Sequence, residues 1–292
     1  MCFTKALRIS IYNFRKTISS IRILAVLLMI ACFIIQNMEA VVEFSSLVKI
    51  GVTPYAFPHI VNDYICQLVI MAGGVILFCN APFEDEGYFY MLPRAGKMSW
   101  TLGQVMYIVG ISLFYVLFLL GMTLLPIIGN VDFGNEWGKI WGTFAKTDAG
   151  IQVGLLFQVT EYMISHYNAR YALLISVLLE WWCVSWIGLL IYFFNKLTGK
   201  VIGTCMGAFC VLLDICISND WMAWANRFSP ITLAQLNSYT GYNLKYHITF
   251  EYGVSFFLIG MLLLTGLSVL ANYKDKAENL LKKLEVIWIH RQ

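Results

Sequence analysis

The chain has 292 residues, 59% of them hydrophobic and 13% charged, with a formal net charge of +3 and a mean hydropathy of +0.71. Soluble domains carry about 25% charged residues, so an ordinary soluble fold is excluded and an all-α polytopic membrane protein is indicated. The eight cysteines have neither paired metal-ligand spacing nor the pattern of a secreted disulfide framework. They read as small hydrophobes within apolar runs.

In residues 3–22, Phe3, Leu7, Ile11, Phe14, Ile18 and Ile21 recur at helical spacing, with Lys5, Arg8, Arg15, Lys16 and Arg22 between them. That pattern predicts an amphipathic helix lying in the membrane interface ahead of the first span. No cleavable signal is evident. A first span is expected at about 22–42, and an outer loop with Pro54 and Pro58 follows. The second and third spans are expected at about 60–82 and 100–128. The segment between them, PFEDEGYFYMLPRAGKMSW, holds Glu84, Asp85 and Glu86, the aromatics Phe83, Tyr88, Phe89 and Tyr90, and the helix breaker Pro93. So short and so patterned a joint, 83–99, suits a surface on which a cytoplasmic partner acts.

Residues 129–169 form a longer outer excursion. Within it the apolar residues at 155, 156, 159 and 163 predict a surface helix over 151–167. A fourth span is expected at about 170–194 and a fifth at about 200–218, joined by NKLTGK. The aromatics and Pro230 of residues 219–249 predict short helices in the outer interface. The sixth span is expected at about 251–272. Residues 273–292 repeat apolar positions as a second amphipathic helix. Residues 1–272 thus form a single six-span domain. Fourteen of the 20 basic residues fall in the two ends, the 83–99 joint and the fourth–fifth connection. The positive-inside rule therefore predicts both termini in the cytoplasm.

No chemistry of its own is legible. RAGKMS lacks the glycine and Ser/Thr positions of a phosphate-binding loop, and no zinc-protease or nucleophile-elbow motif is present. No catalytic or metal-ligating residues are assigned. Ionisable residues inside spans are costly and mark function by default. Glu180 lies near the middle of the fourth span and Asp214 about one turn inside the outer end of the fifth. Both are candidates to line a substrate path, with Trp181 and Trp182 as an aromatic wall. Local pairing of the carboxylates, and packing of the tryptophans on neighbouring helices, are the alternatives. Gly199, Gly203 and Gly207 form a four-residue glycine repeat that suits close helix packing, within the subunit or between subunits.

Taken together, RISIYNFRKTISSIR before the first span, the PFEDEGYFYMLPRAGKMSWTLGQ joint and the outer FSPITLAQL resemble the membrane subunit of ABC exporters of the second type, the type V exporter fold. The resemblance implies that Phe83, Glu84, Asp85, Glu86, Tyr88, Phe89 and Tyr90 form a coupling helix docked on a separate ATPase. It implies supporting contacts from Tyr12, Phe14, Arg15 and Lys16. It further implies a second permease copy, identical or related, in the cytoplasmic (inner) membrane of a bacterium. ATP and Mg²⁺ would be held by the partner chain, with no cofactor in this one and no nucleic-acid partner. The cargo implied is a peptide or amphipathic compound, in export or lantibiotic self-immunity. The outer excursion is longer than the family's usual loop. A secondary transporter and a non-transporting scaffold or sensor are the competing classes.

Overall fold

A computed structural model describes residues 2–83, 86–134, 136–198, 201–239 and 247–289; for Cys2, 86–89 and 272–289 it describes the backbone alone. The helices in chain order are α1 (Cys2–Ile18), α2 (Ile21–Val48), α3 (Ala56–Asn62), α4 (Tyr64–Phe78), α5 (Glu86–Ala95), α6 (Lys97–Leu124), α7 (Gly138–Lys146), α8 (Ala149–Gln152), α9 (Glu161–His166), α10 (Ala169–Thr198), α11 (Ile202–Ser218), α12 (Pro230–Ala234) and α13 (Phe250–Ile289). The extended pairing among the described residues is one isolated bridge, Val52 to Val131.

Four helices are long and apolar enough to cross a membrane: α2, α6, α10 and the Phe250–Ala271 part of α13. A fifth span is reached if α3 and α4 count as one bent unit. The sequence predicted a continuous span over 60–82, but the chain breaks at Asp63 and the two helices meet at 86°. The cause is local. Asp63 is extended, and its side chain accepts hydrogen bonds from the Ile65 and Cys66 N–H groups, capping a new helix. α3 therefore lies across the N-terminal end of α4. α11, at 17 residues, is shorter than the other candidates. The described residues thus give four to five candidate spans where the sequence predicted six.

α10 is the central helix. Of its most apolar stretch 67% is buried, against 39% in α2, 39% in α6 and 22% in the span of α13. It packs on α4, α6, α11, α12 and α13. Its turn into α11 is closed by Asn195, whose amide donates to the Ala81 carbonyl at 2.6 Å and accepts from the Gly203 N–H at 2.7 Å. A Cβ on Gly203 would stand 2.2 Å from the Ile191 carbonyl oxygen, and one on Gly207 2.9 Å from Ile191 Cδ1. Both glycines thus serve contact between α10 and α11 within the subunit. Gly199 lies outside the described residues.

The described part of residues 129–169 folds into a cap over α3 and the chain before it. Thr53 donates to the Trp137 carbonyl at 2.6 Å, Trp141 donates back to the Thr53 carbonyl at 3.1 Å, and Trp137 donates to the Tyr167 carbonyl at 2.8 Å. Gly138 makes this closure possible. Its φ is +75°, and a Cβ there would lie 2.7 Å from Thr53 Cγ2. The helix predicted over 151–167 is broken in the middle: α8 stops at Gln152, Gly154 is left-handed at φ +71°, and only Glu161–His166 is helical again. Leu155, Phe157 and Val159 still turn inward, as side chains of an irregular segment packed on the cap. Residues 223–239 form short turns, Ala223–Arg227, α12 and Leu236–Tyr239. From Phe250 the last helix continues without a break to Ile289, so its backbone carries the span directly into the tail.

Candidate functional site

Two features carry the candidate function: a pair of helices at one end of the bundle, and two carboxylates inside it. α1 and α5 lie at the end where α4 stops, α6 starts and α10 turns into α11. α1 packs on α6 through Ala6, Ile9, Asn13 and Thr17, all buried. Approach is close because of Gly103, where a Cβ would meet Ile9 at 2.8 Å. Tyr107 locks the contact by donating to the Thr17 hydroxyl at 2.6 Å. The apolar stripe read from the sequence faces elsewhere: Phe3, Leu7, Ile11 and Ile18 are all exposed. A helix that also turns large apolar side chains outward suits an interface with acyl chains.

The residues singled out for docking divide between two roles. Phe83 is half-buried and stands edge-on to Tyr107 of α6, ring centroids 4.9 Å apart. Phe14 is likewise half-buried, edge-on to Phe114 of α6 at 5.9 Å. These two aromatics anchor the platform. Tyr90, 74% exposed, and Tyr12, Arg15 and Lys16 are presented outward. Glu84 and Asp85 lie outside the described residues. Glu86, Tyr88 and Phe89 belong to α5, whose backbone alone is described there. α1 and α5 are tied directly, the Lys5 ammonium donating to the Arg94 carbonyl at 3.0 Å near the end of α5.

Within the bundle, Lys196 of α10 ties the start of α6 to α13. Its ammonium donates to the Thr101 hydroxyl of α6 at 2.9 Å and to the Ser268 carbonyl of α13 at 2.9 Å. A charge on α10 thereby binds α6 and α13 at the level where α6 leaves α5. The place of Lys196 in the last turn of a long apolar helix is the one signal for it in the sequence.

Glu180 is fully buried on α10 and accepts a hydrogen bond from the Gln67 side chain of α4 at 2.9 Å. Its other oxygen, the Gln67 carbonyl oxygen and the Ser176 hydroxyl have no hydrogen-bond partner. Asp214, also buried, accepts from the Thr232 hydroxyl at 2.6 Å, which pins α12 over α11. Trp181 turns to α6 and donates to the Val109 carbonyl at 3.0 Å, while Trp182 lies against Phe257 of α13 at 6.4 Å. Both tryptophans thus pack neighbouring helices, and both carboxylates are enclosed. Gln67 was missed because an amide in a span carries no charge to flag it. No group of three or more metal-ligating side chains occurs among the described residues.

His59 is fully buried in α3, between Trp137 at 4.8 Å and Trp141 at 5.0 Å, and neither ring nitrogen has a partner. It serves as an aromatic filler of the cap. Comparison with protein-family models, with curated proteins and with solved structures finds no match.

Proposed function

We propose that this chain is the membrane subunit of an ATP-driven ABC exporter of the second type, coupled to a separate ATPase through the 83–99 joint. The observation that carries the reading is the paired platform of α1 and α5, braced on α6 by Phe14, Phe83 and Thr17 while Tyr90, Tyr12, Arg15 and Lys16 face outward. Such a surface is stiff toward the bundle and open toward a partner. Six spans follow if α4 and α11 cross with α2, α6, α10 and α13, in a multi-pass inner-membrane protein with both termini in the cytoplasm.

In this reading the ATPase holds ATP and Mg²⁺, and its closure pushes on α5. The push reaches α6 through the Phe83–Tyr107 contact, then α10 and α13 through Lys196. A second permease copy, identical or related, completes the path, because Glu180 and Asp214 are enclosed within this one. Alternation requires that ATP-bound and ATP-free partners contact the platform differently. The cargo is a peptide or amphipathic compound, taken along apolar and aromatic surface that carries few charges. Affinity purification from native membranes in mild detergent tests the reading: a stoichiometric ATPase supports it, and a clean homo-oligomer removes it.

A second reading draws on the Glu180–Gln67 pair. An enclosed carboxylate with one unpartnered oxygen is the kind of group a secondary transporter uses to carry an ion. Uptake or efflux in proteoliposomes driven by an ion gradient, without ATPase, would favour it.

A further inference from the structure

Between α1 and α5 lies a cleft of about 400 Å³, lined by Lys5, Arg8 and Arg94 together with Ile9, Tyr90 and Met91. Three cations and no carboxylate line it among the described residues. Lys5 is partly committed, since its ammonium caps the Arg94 carbonyl at 3.0 Å. That bond leaves the guanidinium groups of Arg8 and Arg94 as the strong donors of the cleft. Guanidinium presents a planar fork that matches two phosphate oxygens, which ammonium does not.

The position of the cleft selects the form in which phosphate arrives. Leu7, Ile11 and Phe3 of the same helix are exposed on the outer face of α1. Acyl chains covering that stripe bring lipid headgroups to the level of Lys5 and Arg8, one turn or less away along the helix. Ile9 and Met91 add apolar wall that suits the glycerol and upper acyl carbons of a lipid.

We propose that this cleft binds the phosphodiester of an anionic phospholipid, clamped by Arg8 and Arg94 and fixing α1 against α5. The site needs neither a partner ATPase nor transport, so its failure and that of the exporter reading are separable. A lipid there would act as a removable wedge between the two helices of the platform, making its rigidity depend on membrane composition.

The test uses the full-length protein purified from mixed phosphatidylcholine and phosphatidylglycerol. Retained lipid per protein is measured by quantitative mass spectrometry after detergent exchange. Wild type should retain phosphatidylglycerol over phosphatidylcholine, with the preference weakening as salt is raised. The double variant Arg8→Gln/Arg94→Gln should lose this preference by about thirtyfold, as expected for two cations near an anionic surface. Lys139→Gln/Lys146→Gln, at the opposite end of the bundle, should keep it. Equal retention of the two lipids by wild type overturns the proposal even if the arginine variant fails to fold. Displacement of the retained lipid by millimolar inorganic phosphate, followed by phosphate binding that the arginine variant lacks, would mark a free-anion site and overturn the lipid assignment.

Discussion

Removing Glu180 and Gln67 singly and together separates what the pair does for stability from what it does for function. Glu180→Leu leaves the Gln67 amide N–H buried with no acceptor, since the 2.9 Å bond to Glu180 is the one it makes. An unpaired buried amide costs about 1–3 kcal/mol. Gln67→Leu leaves both oxygens of the Glu180 carboxyl group buried without a hydrogen-bond partner, at a similar cost of about 1–3 kcal/mol. The double variant Gln67→Leu/Glu180→Leu removes both polar groups from an apolar setting and should recover most of the loss, as replacements of buried polar pairs do. The cycle should show a coupling of about 1–3 kcal/mol. Thermal unfolding can be followed by a thiol-reactive dye in a background that keeps Cys66 and Cys183 alone. These two are buried near the pair and react only on opening, whereas Cys32 and Cys205 are exposed and must be replaced. Additive losses, or a Glu180→Leu variant as stable as wild type, would refute the reasoning. A double variant that is stable yet inactive in export assigns Glu180 to the path; one that is stable and active reduces the pair to packing.

Other positions give sharper single outcomes. Gly203→Ala should cost about 1–3 kcal/mol, because its Cβ would meet the Ile191 carbonyl at 2.2 Å, whereas Gly110→Ala, with nothing within 4 Å, should be neutral or stabilising in the same melt. Gly138→Ala combines positive φ with contact on Thr53 and should loosen the outer cap, read as faster proteolysis between residues 130 and 168 with the spans intact. His59→Phe should preserve or raise the melting temperature, since the imidazole forms no hydrogen bond between its two tryptophans; a large drop would mean its nitrogens are in use. In a cysteine-free background, Arg15→Cys and Lys146→Cys should label from opposite sides of the membrane, and labelling from one side would overturn the proposed orientation.

Hydropathy alone located α6, α10 and the span of α13 to within about four residues, because a run of apolar side chains long enough to span a bilayer has few other uses. α2, by contrast, runs on to Val48, past its expected end near 42. The glycine spacing at Gly203 and Gly207 likewise pointed to close packing, and the structure places that packing on α10. The break before α4 was legible and missed: Asn62 and Asp63, following Pro58, form a turn and cap signature inside an apolar run. The helix expected over 151–167 failed for a different reason. Gly154 takes φ +71° and breaks the helix; Leu155 and Val159 pack partly inward from an irregular chain, Leu156 is exposed, and Met163 is buried on the short α9. Tertiary packing can satisfy a hydrophobic pattern without the helix that the pattern suggests. Composition also could not tell Phe83 and Phe14, which anchor the platform inward, from Tyr90, which is displayed. Nor could it pair Gln67 with Glu180, 113 residues apart, since that contact exists only once α4 lies beside α10.

The coupling assignment meets its most direct test in a photo-crosslinking residue placed at Tyr90, 74% exposed on α5, with a control at Phe133, 85% exposed at the opposite end. In native membranes, irradiation at position 90 should give a protein adduct, beside any lipid, whose captured polypeptide carries a phosphate-binding loop, and position 133 should give no protein adduct. No protein adduct at position 90, or capture there of a protein without a nucleotide site, would contradict the account.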